Sequence, residues 1–303
     1  MNGMKKMISA GLALLMLTGC KDATAALANS GETIMTVGDT SVTKGELYDM
    51  LFATVGADTA HTDVMNRISA QEIEVTDEMK EEALNQVQFY TMMYGDQFTS
   101  FLESMGMTEE EYAEKQILPN TLTGKLVEKY AEENFDALCE TYDPLSAIIL
   151  KFTSADDASA ALSALKDGSV TPAEAASENN STSYGDEEVI TIESTSYDTA
   201  ALSVLRSMSV DDGWTQIPSS DGATFYVLKL VSHDPAEFKE KALAALSGIT
   251  AVSDQSTDYY LRKYNFHVYD INLYNAIKEL DAGMLVQDIP APTPAASAAP
   301  AAE

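Results

Sequence analysis

The chain has 303 residues, with Lys+Arg 18 against Asp+Glu 48, a formal net charge of −30 at pH 7. A surface this acidic is repelled by nucleic acid and by anionic lipid head groups, which sets nucleic-acid partners aside. The length suits about two domains with ordinary cores, and two cysteines make no disulfide framework.

Residues 1–19 carry Lys5 and Lys6, an apolar run from Met7 to Leu17, and small residues before Cys20. That is the layout of a secretory signal peptide. The run is too short for a membrane-spanning helix, which needs about 20 apolar residues. "LTGC" at 17–20 resembles a bacterial lipobox, and the resemblance implies lipid attachment at Cys20, which becomes the new N-terminus. The other reading is a buried structural thiol. Two acyl chains give stable anchoring where one gives marginal binding. Residues 20–32, small and polar, read as a tether.

"TIMTVGDTSVT" alternates around Met35 and Val37 and breaks at Gly38-Asp39, which predicts a short hairpin. Thr43 with Glu46 forms a capping box ahead of Leu47, Met50 and Leu51, so a helix follows. Further helices are expected from Thr76, and from Thr108 with Glu111, the latter ended or kinked by Pro119. "TGKLVEKYAEENFDALCETY" continues in helical period, with Cys139 as a half-buried thiol.

From Leu145 the pattern changes. "SAIILKF" reads as a strand, "SADDASAALSALKDG" as a capped helix stopped at Gly168, and "TPAEAASE" as a helix with Thr171 as cap and Pro172 first. "EEVITIES" reads as a strand, "TAALSVLRSM" as a helix, and "ATFYVLKLVSH" as a closing strand. Strand, helix, helix, strand, helix, strand fits a small α+β domain. Helical period then returns through "FKEKALAALSGITAVSDQSTDYYLRKYN", with "FHVYD" as a short strand and "NLYNAIKEL" as a last helix. The Pro/Ala-rich end from Ile289 lacks the apolar content for a core and is expected to be disordered.

Helices flanking an α+β unit suggest an inserted domain. "VGDTSVTKGELY", "FTSFLESMGMTEEEYAEKQI" and the closing "FKEKALAALSGITAVSDQSTDYYLRKYNFHVYD" together resemble the extracytoplasmic parvulin-type foldases, the PrsA and SurA group. The resemblance runs from Met1 to about Leu280. It implies an α+β fold in which residues 33–143 and 235–282 form a discontinuous helical chaperone domain. A parvulin-like, peptidyl-prolyl isomerase-type domain occupies 144–234, and 283–303 form the tail. It also implies a membrane-anchored foldase for exported proteins, with unfolded or newly secreted polypeptides as partners and a homodimer compatible with the pattern.

The family's first-strand and last-strand histidines fall at Ile148 and Tyr226, and its glycine-rich segment is reduced to "YGDEE" at 184–188. Isomerase activity is therefore expected to be weak or absent. His61, His233 and His267 lie elsewhere. Tyr197, Leu205, Trp214, Phe225 and Tyr226 form the candidate proline or client pocket; the simpler reading of the same residues is core filler. Met92, Met93, Met105 and Met107 are either core or an adaptable client surface. No nucleophile elbow, zinc motif, phosphate loop or calcium loop is present, so no cofactor or metal is expected. The competing function is a non-catalytic ligand-binding or adhesive surface lipoprotein.

Overall fold

A computed structural model describes residues 27–287. Cys20, the signal peptide, much of the tether and most of the Pro/Ala tail lie outside those residues. The chain folds as two compact units. One comprises the residues up to Val64 together with those from Leu261 onward; the other is Met65–Tyr260. The division falls inside two helices and keeps the α+β segment with the helices around it.

The first unit opens on the hairpin β1 (Thr33–Val37) and β2 (Thr40–Thr43), with Val37 paired to Thr40. Gly38, at φ +60°, supplies the positive φ that a two-residue turn following strand twist demands. The capping box forms as expected: the Glu46 N–H donates to Thr43 Oγ1 at 3.2 Å and the Thr43 N–H to Glu46 Oε2 at 2.7 Å. Helix α1 runs Lys44–Glu72 and enters the second unit.

In the second unit, α2 (Asp77–Tyr94) starts at the Thr76 cap, and α3 (Asp96–Met105) ends on Gly106 in the left-handed region. Thr108 and Glu111 close a second capping box at α4 (Glu109–Tyr112). A π-helical turn, Ala113–Ile117, then leads into α5 (Leu118–Glu133), with Pro119 in its first turn. Pro119 does not end the helical run. It sits where its missing N–H has no intrahelical partner to lose, and the widened turn ahead of it absorbs the ring. Helix α6 (Phe135–Tyr142) follows.

The α+β segment contains β3 (Leu145–Phe152), α7 (Ala155–Lys166), α8 (Pro172–Glu178), β4 (Glu187–Ile190), α9 (Thr199–Ser207), β5 (Thr215–Pro218) and β6 (Phe225–Ser232). The sheet order is β4-β3-β6-β5, all antiparallel. Strand β5 escaped the sequence: four residues ending in proline carry almost no periodicity, and proline is confined to a sheet's edge.

Apolar residues alternate along the central strands and fill two cores. Leu145, Ala147, Ile149, Tyr226, Leu228 and Leu230 meet Ala201, Leu205 and Met208 on one face of the sheet. Leu150, Phe152 and Val227 meet Ala158, Ala161, Leu165, Ala175 and Ala176 on the other. The register explains this division, since Ile149 pairs with Leu228 and Leu150 with Val227.

Strand β4 pairs only with residues 145–148 of β3. The segment before it satisfies the strand beyond. The Thr182 N–H donates to the Lys151 carbonyl at 2.7 Å and Ser183 Oγ to the Ile149 carbonyl at 2.8 Å. The Lys151 N–H donates in turn to Ser183 Oγ at 3.1 Å. Gly185, at φ +80°, lets this segment pass α8, because a Cβ there would stand 2.6 Å from the Pro172 carbonyl oxygen. Gly185→Ala is expected to cost roughly 1–3 kcal/mol through strain and backbone clash, read as a lower urea midpoint.

Helices α10 (Lys239–Ser247) and α11 (Thr250–Lys263) return the chain to α5 and α6, where Leu246 and Val252 pack with Ala131, Leu138 and Tyr142. Lys241 Nζ reaches Glu187 Oε1 at 3.1 Å, tying α10 to β4. The Ser146 hydroxyl, and after it Lys241, hold the Glu187 carboxyl below its usual range. Arg206 of α9 pairs with Asp143 at the end of α6.

"FHVYD" forms no strand. Instead the Gln287 side chain clamps buried Val268 from both sides. The Val268 N–H donates to Oε1 at 2.5 Å, and its carbonyl accepts from Nε2 at 2.7 Å. One side-chain amide supplies the pair of hydrogen bonds that a neighbouring strand would have supplied. Helix α12 (Ile271–Leu280), capped by Asp270, closes the first unit.

Candidate functional site

Helix α2 buries Ala83 and Val87 against Phe98, Leu102, Ala113, Ile117, Leu118 and Leu122. That packing turns Phe89, Met92 and Met93 outward, 47%, 77% and 53% exposed. From α3, Phe101 and Met105 are also exposed, as is Tyr94. Met107 is half-buried beyond the Gly106 stop.

Rings connect this surface to the core. Phe89, Tyr90, Tyr94, Phe98, Phe101 and Tyr112 form a continuous ladder with centroid separations of 5.6 to 6.5 Å. Phe98 is buried while Phe89, Tyr94 and Phe101 stand out, so rigid aromatic anchors support an apolar surface open to solvent. An exposed, contiguous apolar patch of this kind is the mark of an interaction site. Helix α2, with α4, the π-helical turn and the start of α5, lines a cavity of about 310 Å³, bounded by Ala83, Leu84, Ala113 and Leu118 and by the charged Lys80, Glu110 and Glu114.

The sequence had pointed to the methionines but not to the rings. A signal was present, because Tyr90, Tyr94 and Phe98 recur at every fourth residue. The helix break at Gly95 masked it.

The five pocket candidates of the α+β segment do not come together. Tyr197, Leu205 and Tyr226 pack on the α9 face of the sheet, whereas Trp214 and Phe225 pack on the α7 face. Leu205 is fully buried and Tyr226 nearly so. Lys229 Nζ sits 6.0 Å from the centroid of the Trp214 ring.

A network of polar contacts surrounds Tyr226. Its ring meets that of Tyr197 edge-on at 6.2 Å, and its hydroxyl accepts from the Asp198 N–H at 3.4 Å. Tyr197 donates its hydroxyl to the Glu188 carboxylate in a short hydrogen bond. Burial first, and then that carboxylate, push the Tyr197 hydroxyl far above its usual range. Asp198 Oδ1 accepts from the Ala200 N–H at 2.8 Å and from the Ser220 hydroxyl at 2.8 Å. Those bonds hold its carboxyl below the usual range, the Ala200 N–H foremost. The sequence groups Tyr197 with Tyr226, but not the polar partners Glu188, Asp198 and Ser220 that the fold brings to them.

No protein-family model matches the chain. Among curated proteins, the foldase protein PrsA of Streptococcus gordonii is 30% identical over 252 residues, covering 76% of this chain and 78% of the relative. The chain belongs to the PrsA foldase family. PrsA 2 of Listeria monocytogenes is 30% identical over 141 residues, 46% of this chain and 45% of that protein. Among solved structures, PrsA from Streptococcus pneumoniae covers 82% of this chain and 99% of its own, at 19% identity and a TM-score of 0.45. A peptidylprolyl isomerase (PrsA) from Bacillus cereus covers 84% and 100%, at 18% identity and a TM-score of 0.45.

As a PrsA-family member this chain is a foldase whose substrates are polypeptides, and its fold is α+β as expected. Ile148 and Tyr226, the positions at which the sequence resemblance sets the family's two histidines, lie on opposite faces of the sheet. Tyr226 pairs with Lys151 and joins the α9 core, while Ile148 pairs with Lys229 on the face of Leu150 and Phe152. His233 lies just past β6, its Nε2 3.0 Å from the Met208 carbonyl oxygen, and His61 and His267 belong to the other unit.

Among the described residues no helix is long and apolar enough to cross a membrane, and no group of three or more His, Cys, Asp or Glu could hold a metal ion. Cys139 is half-buried, its thiol pushed up by burial and then by Asp136. That disfavours the reactive thiolate.

Proposed function

We propose that this foldase works outside the cytoplasm on exported proteins, held at the outer face of the cell membrane by lipid on Cys20. It grips unfolded segments on the aromatic and methionine surface of α2 and α3. Residues 33–143 and 235–282 form the chaperone domain, with the isomerase-type domain of 144–234 inserted and of low activity. The observation that carries this function is the exposed ring ladder anchored by Phe98. Newly exported chains expose apolar side chains before they fold, and a rigid apolar surface with flexible thioethers binds them without demanding one sequence.

Phe89→Ser with Met92→Ser and Phe101→Ser tests this directly. Met92 is largely exposed and Phe89 and Phe101 nearly half so, so the protein should fold with a modest loss of thermal stability while suppression of light scattering from a denatured client is lost. Retained suppression would refute the proposed surface.

The anchor is tested separately. Cys20→Ser is expected to abolish the acyl mass increment on the N-terminal peptide and release the protein from the membrane fraction; unchanged fractionation would refute lipid attachment. A homodimer would cover Ile34, Met35 and Val37 of the exposed hairpin. Light scattering coupled to gel filtration should then give twice the monomer mass, and a monomer at every concentration would refute it.

A further inference from the structure

The client surface carries a charge as well as an apolar face, and the two together define what it selects. Between Asp77 and Glu114 the chain has Asp77, Glu78, Glu81, Glu82, Asp96, Glu103, Glu109, Glu110, Glu111 and Glu114, against Lys80. Lys80 is already engaged with Asp77 at 3.3 Å. Glu81, Glu82, Asp96 and Glu103 are exposed and form no ion pair among those described.

Their placement is set by helical spacing. Glu82 stands seven residues before Phe89 and so shares its stripe two turns away, and Glu81 stands eleven before Met92 on that residue's stripe, whereas Glu103, two residues from both Phe101 and Met105, lies on the other side of α3. The apolar stripes of α2 thus run back, within two to three turns, to the unneutralised carboxylates of Glu81 and Glu82.

We infer that this surface selects client segments in which an apolar core is flanked by lysine or arginine, and rejects acidic ones. The inference rests on the client-binding function proposed above and specifies its substrate class. Complementary charge raises the encounter rate and holds register, while a like-charged segment is repelled before its apolar side chains arrive. A net charge of −30 on the whole chain extends the same bias beyond the patch. Aromatic faces contribute in the same sense, since a cation over a ring is attracted to it.

Two fluorescent peptides decide it, with one leucine- and phenylalanine-containing core flanked by three lysines or by three glutamates. Binding to the purified full-length protein is followed by anisotropy. At ~0.01 M ionic strength, where the screening length is about 30 Å, the lysine-flanked peptide should bind at least ~10-fold more tightly. The ratio should collapse towards one in ~1 M salt, where that length is about 3 Å. Glu81→Gln with Glu82→Gln should narrow the low-salt ratio several-fold while leaving high-salt affinity for both peptides unchanged.

Equal binding of both peptides at low salt would overturn the charge selection and leave the client surface standing. A low-salt ratio left unchanged by the double substitution would place the selection elsewhere and overturn it for this surface. Binding of neither peptide would sink the client surface itself.

Discussion

Leu205→Ala should lower the melting temperature sharply and leave client binding per folded molecule unchanged. Leu205 is fully buried on α9 with Ala201 and Met208, against β3 and β6. Truncating a buried leucine removes transfer free energy and leaves a cavity, together worth about 2–5 kcal/mol. For a unit of this size, at about 2–4 °C per kcal/mol, the melting point falls by roughly 4–20 °C. A side chain lining an open client groove would behave otherwise, with stability near wild type and weakened binding. Differential scanning calorimetry beside the scattering assay distinguishes the two. A shift under about 1 °C with lost binding would mean that Leu205 faces a groove, since surface truncations stay within about 0.5 kcal/mol.

Relaxation of an X-Pro peptide in the presence of the protein should stay on the uncatalysed scale of ~10–100 s, and Ile148→His with Tyr226→His should not shorten it. Rotation about the peptide bond faces a barrier of about 18–20 kcal/mol set by resonance. Lowering it takes an apolar grip on the proline ring and donors fixed where the twisted carbonyl points.

Here the aromatic candidates are divided between the two faces of the sheet, and Tyr226 is enclosed by Tyr197 and the Asp198 N–H. Histidines at 148 and 226 would point away from each other and share no hydrogen-bond network. The wild-type assay stands alone if the double variant fails to fold. A protease-coupled measurement relaxing in a second or less would contradict this account.

Much of the local structure was written in short-range chemistry. Thr43 with Glu46, Thr108 with Glu111 and Thr171 with Glu174 close their boxes as spaced, and Gly168 adopts the left-handed turn after α7. Such signals are legible because donor and acceptor lie within one turn, so no distant residue can overrule them. Pro119 shows the converse, since it does not end the helical run. The rule for proline in a helix interior is sound, but a π-helical turn ahead of it moved proline into a first turn.

The failures lie where partners are remote. "FHVYD" has strand composition, yet a strand needs a neighbour, and Gln287 serves Val268 from nineteen residues away. The serines at 181 and 183 look like loop filler until the unpaired stretch of β3 is known to lie beside them.

By itself the sequence determined the helix starts that carry a threonine cap, the central strands, the acidic surface and the ordered set of segments that resembles parvulin-type foldases. Each depends on neighbours within a turn or on summed composition. Only the tertiary structure decided which side chains share a face. It divided Tyr226 from Phe225 by the alternation of one strand, and it joined Phe89 to Tyr112 through rings on three helices. A side chain's direction is fixed by what packs behind it, and that packing is a property of the assembled cores rather than of any short stretch of chain.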